Sequence, residues 1–251
     1  LLLRRPVRTL GHTLALIVLL ALFAIFIAFR TLALLRLLAV LAICTYIYME
    51  IDGRLFMKGV TASCFVALGL TNLVYAALSK PRKLVFPIVL ALGLCFAMAG
   101  DLLLGWNFII GAGLFAVGHI LYAAAMYTRQ RFARLDAAMS LMIFVIAMLL
   151  LTFIPGMAFP DPLMRIVCYV YAVIISCMAG KAVSSFLREK TLTNGLLALG
   201  SVLFFFSDVM LVLSWFAGAG RWADVCCLCT YFPGQGILAH ACFHHVREKA
   251  K

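Results

Sequence analysis

The stretch LVFPIVLALGLCFAMAGDLLL, residues 84–104, decides how this chain is read. Its one charged residue is Asp101, in Ala99-Gly100-Asp101-Leu102-Leu103-Leu104. A helix of that length, at about 1.5 Å per residue, reaches about 30 Å, the thickness of a bilayer's hydrocarbon core. A second such run, near residues 192–216, carries Asp208 in Phe204-Phe205-Phe206-Ser207-Asp208-Val209. A carboxylate at that depth costs roughly 2.5–3.5 kcal/mol on insertion scales, so an intramembrane acid marks function and two suggest a paired site.

The rest of the chain fits this frame. Nine apolar stretches fall near 10–29, 31–49, 57–78, 84–104, 108–127, 136–154, 163–187, 192–216 and 223–246. The 251 residues are 66% hydrophobic and 12% charged, with mean hydropathy +1.14. A soluble domain is about half apolar and about a quarter charged, so that class is excluded. No alternating strand-length segments suggest a membrane β-barrel. The expected fold is an all-α polytopic transmembrane bundle of eight spans, nine if residues 10–29 also cross. Residues 1–30 form a basic and apolar accessory segment, and 31–251 the eight-span domain. Arg4, Arg5 and Arg8 precede an apolar run without a small-residue cleavage site, so that run reads as an uncleaved anchor.

The formal net charge is +12. The basic residues gather in alternate loops: Lys80/Arg82/Lys83, Arg129/Arg131/Arg134, Arg188/Lys190 and the tail Arg247/Lys249/Lys251. The positive-inside rule places these loops and the C-terminus in the cytoplasm of a plasma-membrane protein, facing anionic headgroups. Nucleic acid is not an expected partner. The other loops, Gly105–Asn107, Pro155–Pro162 and Gly218–Trp222, carry little charge. The stretch at 10–29 breaks this parity and its sidedness stays open.

Several polar residues accompany the two acids in the half of the bundle away from the basic loops. Phe115, His119 and Tyr122 share one helix face, as do Tyr231 and Gln235. Each set reads as interhelical glue or as a pocket wall. Lys58, at a span boundary, either snorkels to the interface or pairs with Asp101 or a lipid phosphate. Asp136, Asp161 and Asp224 sit at loop edges and read as solvated or helix-start residues. His240 and His244 have a zinc-compatible spacing at the opposite end of their span; with His245 they are read as interfacial. Cys226 and Cys229 lack a second pair, so the nine cysteines read as small hydrophobes. No phosphate-binding glycine loop and no nucleophile elbow is present.

In order, the chain presents a Lys at the start of a span, Gly-Asp-Leu-Leu-Leu, Phe-x3-His-x2-Tyr, a Tyr with a later Met, Phe-x2-Ser-Asp and Tyr-x3-Gln. From about Leu32 onward it resembles the YhhN-like lysoplasmalogenase family. The matching positions are Lys58, Gly100, Asp101, Phe115, His119, Tyr122, Tyr169 or Tyr171, Met178, Phe204, Ser207, Asp208, Tyr231 and Gln235. One departure is Lys58-Gly59, where the family usually has Lys-Pro; a Lys80-Pro81 follows later. The resemblance implies an eight-span hydrolase that cleaves the vinyl ether of a lysophospholipid, releasing a fatty aldehyde and glycerophospho-ethanolamine or -choline. Vinyl ether cleavage protonates the β-carbon and lets water attack the oxocarbenium ion, which needs one carboxylic acid and one carboxylate. The order of the two stays open at this point, with Asp208, the deeper, as acid and Asp101 as base for the working hypothesis. Lys58, His119, Tyr122, Ser207, Tyr231 and Gln235 are the substrate-binding candidates. No metal and no organic cofactor is expected. The competing readings are a proton-coupled transporter and a non-enzymatic lipid-binding membrane protein.

Overall fold

Hydrocarbon offers no water to backbone N–H and C=O groups, so apolar runs of this length close their hydrogen bonds as helices. The computed structural model describes residues 54–79 and 84–248. They form seven helices and no strand: α1 (Arg54–Ser79), α2 (Val85–Leu104), α3 (Phe108–Arg129), α4 (Arg134–Phe153), α5 (Pro162–Arg188), α6 (Leu192–Phe216) and α7 (Arg221–Glu248). All seven are long and apolar enough to cross a membrane, as in an integral membrane protein. Their bounds follow the expected spans closely. The expected spans at 10–29 and 31–49, and the accessory segment 1–30, lie outside the described residues.

Local chemistry sets the helix ends. The Asn107 side chain accepts from Ile110 N at 3.1 Å and opens α3. Asp161 accepts from Met164 N at 2.8 Å, with Pro162 in the first turn of α5, where its missing N–H costs nothing. Thr191 caps α6 in the same way, at 3.2 Å.

Six helices close a ring in the order α1, α2, α3, α5, α6, α7, with α7 packed back on α1. α4 stands outside this ring against α5. Its outer face shows Leu141, Val145, Leu149 and Phe153, apolar residues left for lipid. Phe115, Phe204, Tyr231 and Phe65 fill the ring's interior edge to face, with centroids 5.2–6.1 Å apart.

A polar clamp fastens α4 to α5 at the end that carries Arg129, Arg131, Arg134, Arg188 and Lys190. Asp136 is a helix-start residue, as expected, since its Oδ2 accepts from Ala133 N at 2.9 Å. It is not solvated: only 1% of its surface is exposed. Lys181, which lies within an apolar run, reaches Asp136 Oδ2 at 2.9 Å and also donates to the carbonyls of Gln130 and Arg131 at 3.0 and 3.2 Å. Ser184 and Arg188 donate to Oδ1 at 2.5 and 3.3 Å. Gly180 permits this approach, because a Cβ there would lie 2.4 Å from Ser140 N. The charge is therefore dry but fully partnered.

His240 and His245 depart from the interfacial reading. Both are buried, because the small residues of α7 draw that helix into the ring. His245 contacts Arg129 and stacks near Phe86.

Lys181→Met is expected to destabilise the purified protein by about 3–5 kcal/mol, since it strips a buried carboxylate of its main partner. Arg188→Gln acts on the same carboxylate from the half-exposed rim and is expected to cost less than about 1 kcal/mol. SDS-unfolding midpoints of the two variants check both values.

Candidate active site

The helices stack the polar side chains in three tiers, counted from the end opposite the clamp. At 1.5 Å per residue, Lys58 and Asp101 stand about 5–6 Å in, and Asp208, Tyr171, Tyr231 and His119 about 12–17 Å. Tyr122 and Gln235 stand about 21 Å in.

The shallow tier is an ion pair. Lys58 Nζ lies 2.7 Å from Asp101 Oδ1, and the Asp101 side chain is 5% exposed. Of the two readings open to Lys58, snorkelling and pairing, the geometry has it pair with Asp101. Asp101 Oδ2 is buried with no hydrogen-bond partner. The Tyr231 hydroxyl, also unpartnered, neighbours this carboxyl group.

The middle tier joins three helices through one phenol. Tyr171 of α5 donates from its hydroxyl to Asp208 Oδ2 of α6 at 2.7 Å. His119 Nε2 of α3 meets the same hydroxyl at 2.7 Å and lies 3.5 Å from Asp208 Oδ2. Phe204 covers the imidazole, with centroids 4.5 Å apart. His119 is fully buried, and its Nδ1 has no partner.

The deep tier is a single hydrogen bond. Tyr122 OH donates to Gln235 Oε1 at 2.7 Å and ties α3 to α7. Gly93 makes room for that phenol, because a Cβ there would lie 2.5 Å from Tyr122 Cε1. Gln235 Nε2 is buried without a partner.

An apolar pocket with a cavity of about 70 Å³ meets the middle tier. Phe115 of α3, Leu151 of α4, Ile175 of α5 and Val212 of α6 are among its walls. Tyr171 and Asp208 bring the strongly polar groups to this lining, and Asp101 is not part of it. The two carboxylates thus hold separate partners, and Tyr231 lies within electrostatic reach of both, as does Cys227. The arrangement offers one carboxyl group to an apolar ligand and keeps a second, ion-paired, toward the nearer end of the bundle.

The remaining candidates sort as follows. Ser207 is buried, and its hydroxyl donates to Phe204 O of its own helix at 2.7 Å, so it does not join the tiers. Tyr169 packs on Phe159 away from the network, which leaves Tyr171 as the relevant tyrosine. Tyr171 is the member that reading the sequence left undecided. The signal is the inward stripe Cys168, Tyr171, Ala172, Ile175, Met178, spaced as one helical face from which Tyr169 is absent. His240 and His244 bond to each other through Nε2 at 3.0 Å. Among the described residues, no three His, Cys, Asp or Glu side chains converge on a common point.

Tyr122→Phe is expected to leave the Gln235 amide buried with neither end paired, at a cost of about 1–3 kcal/mol. The SDS-unfolding midpoint measures it.

No curated protein and no solved structure matches the chain. The YhhN family model matches residues 53–242, from the start of α1 into the last turns of α7 and across all three tiers, and the chain belongs to the YhhN family.

Proposed function

We propose that this chain is a membrane-embedded hydrolase that cleaves the vinyl ether bond of lysoplasmalogens. The observation that carries the reading is Asp208, a carboxyl group set with one phenol in the wall of an otherwise apolar pocket inside a membrane bundle. A lipid with a single chain brings an apolar tail to such a pocket and its polar end to a bundle terminus. YhhN family membership accords with a membrane protein of this kind.

The chemistry is acid–base catalysis. Asp208, as the carboxylic acid, gives its proton to the β-carbon of the vinyl ether. The resulting oxocarbenium ion takes a water molecule at its α-carbon. Asp101, whose Oδ2 is the unpartnered oxygen of its ion pair with Lys58, receives the proton that this water loses. The hemiacetal then collapses: its hydroxyl proton passes to the Asp208 carboxylate, and Asp101 returns a proton to the departing glyceryl oxygen. The products are a fatty aldehyde and a glycerophospho-ethanolamine or -choline, and both carboxyl groups are back in their starting states. Tyr231 lies within electrostatic reach of both acids, and its hydroxyl is the group that orients water. Tyr122 and Gln235 hold α3 against α7 beneath it. Under the positive-inside assignment, the substrate reaches the pocket from the leaflet opposite the cytoplasm.

Purified protein in detergent is expected to release aldehyde from lysoplasmenyl-ethanolamine without any ion gradient. Asp208→Asn and Asp101→Asn are each expected to lower kcat by at least about 10³-fold. A coupled aldehyde-reduction assay reads both rates. Full activity in either variant overturns the two-carboxylate mechanism.

A further inference from the structure

The middle tier contains more than the acid that the hydrolytic scheme uses. His119 Nε2, the Tyr171 hydroxyl and Asp208 Oδ2 are linked by two contacts of 2.7 Å each, on three different helices. Nε2 and Oδ2 are themselves 3.5 Å apart, so the imidazole and the carboxylate both meet the phenol oxygen and lie beside each other. His119 is fully buried, and Nδ1 has no partner. The ring's polar contacts therefore run through Nε2, and the shorter of the two is to Tyr171. Tyr171 also lines the apolar pocket beside Asp208.

We infer that His119 and Tyr171 form a proton relay that sets the protonation state of Asp208, with the phenol as the shuttle. In one arrangement Asp208 is a carboxylate, Tyr171 donates to Oδ2, and an imidazolium donates from Nε2 to the phenol oxygen. Two linked shifts convert it to the other. The Nε2 proton moves to the phenol oxygen, and the phenol's own proton moves to Oδ2. Asp208 is now a carboxylic acid that donates to the phenol oxygen. The neutral imidazole accepts from Tyr171 at Nε2 and keeps its proton on Nδ1. No proton is gained or lost, and no co-reactant is needed. The relay rests on the hydrolase reading in one respect: it delivers Asp208 in its acid form when an apolar ligand fills the pocket and makes the separated charges less favourable than the neutral pair. Tyr171 and His119 are on this account positioning residues that act through Asp208.

The test compares wild type with Tyr171→Phe, His119→Asn and the double variant, with Tyr169→Phe as a neighbouring control. Tyr171→Phe keeps the ring and removes the shuttle oxygen. It is expected to lower kcat roughly 100-fold, within the range for acid–base groups, with KM changed less than about twofold. His119→Asn is expected to lose a similar factor and to share the pH profile of Tyr171→Phe. The double variant is expected to be no slower than the slower single variant, because both break one chain. Tyr169→Phe is expected to stay within about twofold of wild type. An unchanged kcat in Tyr171→Phe, or a double variant whose loss is the product of the two single losses, overturns the relay. Infrared difference spectra across pH separate this outcome from failure of the hydrolase reading. In wild type, the Asp208 carboxyl band and the His119 ring modes are expected to change together, and in Tyr171→Phe to change independently. If wild type releases no aldehyde but the bands are coupled, the substrate assignment falls and the relay stands. If aldehyde is released and the bands are uncoupled in wild type, the relay falls.

Discussion

A polar group inside hydrocarbon must find its partner within the protein, and this condition organises the whole bundle. It forces the backbone into helices. It also sorts the buried side chains into those that are completely partnered and those that are not. The clamp around Asp136 belongs to the first kind. Both of its oxygens accept two hydrogen bonds, and the three donors of Lys181 are all used. Such a group has nothing left to offer a ligand, and its work is to hold α4 on α5.

The three tiers belong to the second kind. Asp101 Oδ2, His119 Nδ1, Tyr231 OH and Gln235 Nε2 are all buried without a hydrogen-bond partner in the protein, and they come from three different helices. A buried group of this kind would cost about 1–3 kcal/mol if nothing met it, so each is a place for a polar ligand atom or water. Rule-breaking of this sort is found where a site is kept ready for polar ligand atoms or water. The contrast also separates Asp101 from other described carboxylates: Asp161 caps a helix end, and Asp224 accepts from Ser214 at the surface.

The ring arrangement explains why the pocket lies where it does. α4 stands outside the ring, clamped to α5 near the basic end, while toward the other end its residues line a cavity shared with α3, α5 and α6. Close helix contacts occur where glycine faces a neighbouring backbone or ring, as at Gly180 and Gly93. The pocket is lined instead by bulkier residues, Leu151 and Phe205 among them.

The sequence by itself determined the helices, because length and hydropathy of an apolar run suffice when the solvent is a bilayer. The seven described helices match their expected bounds to within a few residues, and both acids were legible as charges in apolar runs. Periodicity also placed Phe115, His119 and Tyr122 on one inward face, and all three are buried. The pairings were beyond its reach, because which helix neighbours which depends on packing between segments far apart in the chain. Only the tertiary structure decided that Lys58 meets Asp101, that Tyr171 and not Tyr169 joins His119 to Asp208, and that Ser207 turns back on its own helix. It alone made Asp136 and Lys181 a dry clamp, since a charge near a helix end reads as solvated until the neighbour that covers it is known.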